Sequence, residues 1–242
     1  MMVLFKYIID FFLSLRTTLW LLGASLVLMF AGAFIMPGRR EFQALHSIPL
    51  FEWMQSQSLQ LTWWLWILIG ILVILTINTL FCSVESIVKK RAVTQWLLLI
   101  SPQIIHIGFL FVLLAHLLSA FGASQEEALA KEGSVLKIRG SDRVLRIDDI
   151  NITLDYFGRI TDWQVKVDYQ SKGRSIHRDI IGPNDPSTYM SLNVNVKNLS
   201  ANPRAVLLQI NREPGAIWAL SGSILFIIGT VTLVMLKIRM EK

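Results

Sequence analysis

Four long apolar runs organise this chain. The first extends from about Thr17 to Met36 and stops at Pro37-Gly38-Arg39-Arg40. The second runs from Thr62 to Cys82, ahead of Lys89-Lys90-Arg91. The third covers about Trp96 to Phe121, and the fourth Ala216 to Leu236, followed by Lys237 and Arg239. None carries Asp, Glu, Lys or Arg in its interior. A bilayer core about 30 Å thick requires roughly 20 apolar residues of helix at about 1.5 Å each. Each run therefore predicts a membrane-spanning helix. Ala31-Gly32-Ala33 is similar to a signal-peptide cleavage site, but the run continues through Phe34-Ile35-Met36 and is longer than a signal core, so a retained span is expected.

Between the third and fourth runs the pattern changes period. Ile150, Ile152, Leu154 and Tyr156 alternate with polar residues, as do Trp163, Val165, Val167 and Tyr169. Leu192, Val194 and Val196, then Val206, Leu208 and Ile210, repeat it. Period-two alternation predicts strands buried on one face. Turn signals separate them at Gly140-Ser141-Asp142, Gly158, Ser171-Lys172-Gly173 and Gly182-Pro183-Asn184-Asp185-Pro186. The expected fold is a membrane α plus β protein: four transmembrane helices with a small periplasmic antiparallel β domain, a sandwich or sheet, between helices three and four. Its parts are residues 1–121 with the first three spans, 122–214 as the β domain, and 215–242 with the fourth span and tail. Residues 1–16 read as an interfacial helix. The loop from Pro37 to Leu61, with Phe42, Leu45, Leu50, Phe51 and Trp53 among polar residues, is expected on the membrane surface, broken at Pro49. Trp63, Trp64 and Trp66 fit an interfacial aromatic belt.

Composition agrees with this picture. Hydrophobic residues make up 53% of the chain and charged residues only 17%, against about a quarter in soluble domains. The net charge of +6 raises the question of nucleic acid, but its distribution answers it. Lys6, Arg16, Lys89, Lys90, Arg91, Lys237, Arg239 and Lys242 all flank spans, which predicts that both termini and the loop after the second span face the cytoplasm. The Pro37–Leu61 loop and residues 122–214 then face outward, as for a multi-pass protein of a bacterial inner membrane. No nucleic-acid partner follows, and anionic lipid of the bilayer is the only polyanion implied. The single cysteine, Cys82, excludes an internal disulfide, a Cys-x-x-Cys pair and a Cys-x-x-Cys-His haem attachment motif.

Ionisable residues inside a span are costly and so are functional candidates. Here they are His106 and His116, both in the third run. His106 lies about 15 Å in from the cytoplasmic end, near mid-membrane, and His116 about 15 Å further out. Ten residues of helix leave the two rings roughly 80° apart, so they do not ligate one iron. Each has two readings: an axial haem ligand, or a structural histidine bonded to a neighbouring helix. Asn78 is the other strongly polar residue, with Cys82 four residues on along the same face. Asn78 is placed to bond His106 or to serve as ordinary interhelical glue. Cys82 has two readings, a redox-active thiol or an inert small apolar residue, and a lone buried thiol favours the second. His177, Asp179 and Asp185 form no spacing that requires a site, His46 in the first outer loop reads as a surface ligand or a solvated histidine, and no Walker loop or dinucleotide fingerprint is present. A b-type respiratory subunit would prefer paired histidines on facing helices, and the first, second and fourth runs contain none.

Four local patterns carry a resemblance. Thr62-Trp63-Trp64-Leu65 opens the second span, and Asn78 through Cys82-Ser83 closes it. His106-Ile107-Gly108 lies in the third span, and Glu213-Pro214-Gly215 leads into the fourth. In this order around a β domain, the chain resembles the ResB family of system II cytochrome c biogenesis proteins over nearly its whole length. The resemblance implies a membrane partner of the ResC/CcsA type. It implies a shared role in carrying reduced haem outward and presenting it to apocytochrome c. It places on His106 the role of axial haem ligand to the haem iron, with weaker candidates in His116 and Asn78. The haem would be b-type, non-covalent and in transit, shared with the partner. Bond formation would fall to the partner, leaving this chain an accessory subunit of a cytochrome c synthetase. Many family members have a much larger outer domain, and this chain lacks a Trp-rich haem-handling loop. The alternative reading is a cofactor-free membrane scaffold whose outer domain binds apocytochrome or the partner subunit.

Overall fold

The computed structural model describes Tyr7, residues 10–89 and residues 96–240. Lys6, Lys90, Arg91, Lys242 and half of the expected N-terminal interfacial helix lie outside the described residues. Four long helices form: α1 (Leu15–Ile35), α3 (Leu59–Lys89), α4 (Trp96–Gly122) and α5 (Ala216–Met240). All four are long and apolar enough to cross a membrane. The second runs on past its apolar stretch, through Ser83 and Glu85 to Lys89. Between α1 and α3 lie a 3-10 helix (Arg40–His46) and a short helix α2 (Leu50–Ser56) that begins just after Pro49. The chain divides into two compact units, one of residues 1–44, 51–118 and 215–242, the other of residues 45–50 and 119–214.

In the helical unit, packing depends on small residues where helices approach. On α1, a Cβ at Gly32 would lie 2.5 Å from the Trp64 ring. Trp64 is accordingly buried, while Trp63 and Trp66 are exposed. The expected three-residue belt is thus corrected to two outward rings and one interhelical ring. The tighter approach joins α4 to α5: a Cβ on Gly108 would meet the Gly222 carbonyl at 2.7 Å, and one on Gly229 would meet the Ile105 amide at 2.9 Å. Such close approach, allowed by missing side chains, is how apolar helices associate where no hydrophobic gain separates protein from lipid. The loop before α3 folds on itself: the fully buried Trp53 donates its Nε1–H to the Glu41 carbonyl at 2.8 Å and packs its ring on Phe42 at 5.0 Å.

The second unit holds two four-stranded antiparallel sheets. One has the order β1-β8-β7-β6 and the other β2-β3-β4-β5. The strands are β1 (Ser124–Ala130), β2 (Val135–Lys137), β3 (Arg143–Leu154), β4 (Ile160–Ser171), β5 (Arg174–Ile181), β6 (Ser187–Tyr189), β7 (Leu192–Ala201) and β8 (Arg204–Arg212). Leu145, Ile147, Ile150, Val165, Val167, Val194, Val206 and Leu208 share one core. A bulge between Ile147 and Asp149 shifts the register of β3 against β4, which keeps both Ile147 and Ile150 inside despite their odd spacing. Lys172 and Gly173 turn β4 into β5 with φ of 50° and 75°, the left-handed pair that a two-residue hairpin needs. Tyr156, expected as a strand residue, sits instead on the β3–β4 turn, 97% exposed. Asp155 organises that turn, accepting the backbone N–H groups of Phe157 and Arg159.

Asp168 is the one buried acid of this core region among the described residues. Burial pushes its carboxyl up, but hydrogen bonds from Gln170 and Ser175 and the charges of Arg178 and Arg146 outweigh that and hold it below the usual carboxylate value. A depressed folded value stabilises the fold above the unfolded carboxylate pKa of about 3.9, and that contribution disappears as pH falls through the folded value. Acid unfolding of the β unit, followed by near-ultraviolet circular dichroism of the full chain in detergent, is expected to show this step, and Asp168→Asn to flatten it. An acid profile identical in the two proteins would contradict the assignment.

Candidate functional site

The polar residues of the helical unit gather near the end of α3 that leads to residue 89. His106 is half-buried on α4, and its Nδ1 lies 2.8 Å from the Ser83 hydroxyl of α3. No described residue hydrogen-bonds its Nε2. Ser83 also reaches the Thr79 carbonyl one turn back, at 2.8 Å. Ser83 follows directly on the apolar Thr62–Cys82 stretch and lies within the span-length part of α3, Leu59–Val88.

Asn78 does not bond His106. Its Oδ1 accepts the Thr18 hydroxyl of α1 at 2.6 Å, and its Nδ2 donates to the Phe12 carbonyl at 2.7 Å. Its amide is thereby satisfied in burial, which makes it glue between α3 and the α1 side. The Cys82 thiol faces the same Phe12 carbonyl at 3.6 Å, so the shared face of Asn78 and Cys82 points to α1. Of the two readings of Asn78, interhelical glue is the one observed, and the hydrogen-bond partner of His106 is Ser83.

Gln103 is a residue that the reading of the sequence passed over. It stands three positions before His106 on α4, within hydrogen-bonding span of one helical turn, and is buried. Its Nε2 has no hydrogen-bond partner among the described residues. A buried amide donor left unpaired costs about 1–3 kcal/mol, so a ligand with an acceptor oxygen is favoured there. The signal was available: Ser101-Pro102-Gln103 interrupts the third apolar run with a strongly polar side chain.

His116 is exposed on α4, without a hydrogen bond to any described residue. The structure therefore separates the two histidines, giving His106 a polar neighbour on another helix and His116 none. His46 is also exposed. In the β unit, Tyr169, Ser187 and Asp179 form a hydrogen-bonded chain, with Tyr169 to Ser187 at 2.7 Å and Ser187 donating to Asp179 at 2.8 Å. His177 Nε2 is 4.0 Å from Asp179. Ser187 is fully buried, so its hydroxyl is a structural relay and not an accessible nucleophile. Burial raises the Tyr169 phenol above its ordinary value. Among the described residues no group of three or more His, Cys, Asp or Glu is placed to hold a metal ion.

The chemistry this donor set allows is narrow. A single imidazole supplies one axial nitrogen, and a metalloporphyrin accepts its other axial ligand from elsewhere. A buried amide donor one turn away suits an acceptor oxygen such as a propionate. The residues present fit a haem through His106, whose Nε2 carries no hydrogen bond from a described residue.

No protein-family model matches the chain, and no curated protein matches it. Among solved structures, it is similar to one described as cytochrome c heme lyase CcmF, at a TM-score of 0.49 and 12% identity, over 66% of this chain and 29% of that one. The chain thus spans less than a third of that protein's length.

Proposed function

We propose that this chain is a haem-handling subunit of a cytochrome c attachment complex, acting with a ResC/CcsA-type membrane partner. The observation that carries the reading is His106: an imidazole within a span-length helix, hydrogen-bonded through Nδ1 to Ser83, with no hydrogen bond from a described residue to Nε2. In this reading His106 supplies one axial nitrogen, and Gln103 donates to an acceptor oxygen of the haem. Haem is the cargo, and the second axial ligand comes from the partner. The termini and the loop after α3 face the cytoplasm of a bacterial inner membrane, and residues 122–214 face outward toward apocytochrome c. The basic residues flanking the spans support that orientation.

The test is spectroscopic. The complex purified with its membrane partner is expected to carry a haem absorption band. His106→Ala should weaken or abolish the band and reduce cytochrome c assembly by at least about 10-fold, the scale of losing a metal-site group. His116→Ala should leave both near wild type. An unchanged spectrum and normal assembly in His106→Ala would sink the reading. A colourless complex, more sensitive to loss of the β unit than to His106→Ala, would establish the scaffold alternative.

A further inference from the structure

The Ser83 hydroxyl has one proton and two neighbours. One neighbour, the Thr79 carbonyl at 2.8 Å, only accepts hydrogen bonds. The other, His106 Nδ1 at 2.8 Å, donates or accepts according to the tautomer of the ring. Both contacts are satisfied together in one arrangement only. Ser83 gives its proton to Thr79, and His106 carries its proton on Nδ1 and donates it to Ser83 Oγ. The opposite tautomer would turn the hydroxyl away from Thr79 and place the ring proton on Nε2.

We infer that Ser83 is a positioning residue that holds His106 in its Nδ1–H tautomer and so presents the Nε2 lone pair for ligation. This rests on the haem reading above and deepens it. A neutral imidazole binds a metal only through its unprotonated nitrogen, and the group bonded to the other nitrogen decides which one that is. The backbone sets this device in place. Thr79 and Ser83 are one turn apart on α3, so the acceptor that orients the hydroxyl is the helix's own carbonyl and does not depend on any third side chain. Donation from Nδ1–H to Ser83 also makes Nε2 a more basic ligand.

Two measurements on the full chain in detergent test this. The first needs no haem: nitrogen-15 spectra of histidine-labelled protein report which ring nitrogen of His106 is protonated, with His106→Ala identifying its signals. The Nδ1–H form is expected, and Ser83→Ala should remove that preference while Ser83→Thr, which keeps the hydroxyl, should preserve it. The second titrates the protein with haemin. Ser83→Ala should weaken binding about 10–100-fold, the range for loss of a group bonded to a metal-ligating histidine, and Ser83→Thr should restore it to near wild type. An Nε2–H tautomer in the wild-type protein overturns the inference. So does unchanged haemin affinity in Ser83→Ala where His106→Ala abolishes binding. If His106→Ala leaves haemin binding unaltered, the haem reading fails instead, and the nitrogen spectra still decide the Ser83 bond.

Discussion

Gly222→Ala is expected to lower the thermal stability of the detergent-solubilised protein markedly. The new Cβ would stand 2.6 Å from the Gly108 carbonyl and 2.9 Å from the Phe111 Cβ. A flexible side chain can swing aside, but a helix carbonyl can move only with its helix. Overpacking of a well-filled contact costs about 1–3 kcal/mol, and a backbone neighbour puts this case at the upper end. Gly108→Ala strikes the reverse side of the same contact, at the Gly222 carbonyl and the Phe226 amide, and should behave alike. Gly23→Ala on α1 and Gly70→Ala on α3 are the controls, since a Cβ at either has nothing within 4 Å. With open space around the new methyl they should leave stability unchanged or raise it by up to about 1 kcal/mol, alanine being the better helix former. Equal melting temperatures across all four variants would show that α4 and α5 do not approach at Gly108 and Gly222.

Trp53→Ala is expected to cost about 3–5 kcal/mol, the usual range for emptying a buried aromatic site. Trp53 is fully buried, packed at a tilt on Phe42 and bonded to the Glu41 carbonyl. Removing it leaves the 3-10 helix and α2 without their shared centre, so the segment between α1 and α3 should become sensitive to limited proteolysis. Trp53→Phe keeps an aromatic ring but loses part of its packing and the hydrogen bond, the latter worth about 1 kcal/mol, and should be less protease-sensitive than Trp53→Ala. Equal cleavage of the wild type and both variants would mean that this loop has no core of its own.

The strands that the alternation revealed and the strands it hid differ in one physical respect. The patterns around Ile150, Val165, Val194 and Leu208 fall on β3, β4, β7 and β8, the inner strands of the two sheets. The strands without a recognised pattern, β1, β2, β5 and β6, are the sheet edges. An inner strand packs one face on the core and pairs on both sides, so its sequence alternates. An edge strand such as Ser124–Ala130 meets water along one side and carries polar residues at most positions. Tyr156 was misplaced because the alternation Ile150, Ile152, Leu154 continues smoothly into it, whereas Asp155 diverts the chain into a turn.

The candidate site was legible to the same extent. His106 stood out because imidazole is rare in an apolar run. Ser83 did not, since serine bonds its own helix at little cost and its role appears only when α4 is laid against α3. The spacing of Asn78 and Cys82 was read correctly as one face, but spacing does not say which helix that face meets.

The β unit is closed at its ends by its own ladder, for β1 and β8 are paired from Ser124–Arg212 to Ala130–Val206. Partner residues in such a ladder stand about 5 Å apart. The helices on either side in sequence, α4 and α5, are clasped separately through Gly108 and Gly222. The β unit therefore has the form of an insertion whose ends already meet, the arrangement that lets a host tolerate an inserted domain. A domain joined in this way can grow or shrink without drawing apart the helices that carry and brace His106.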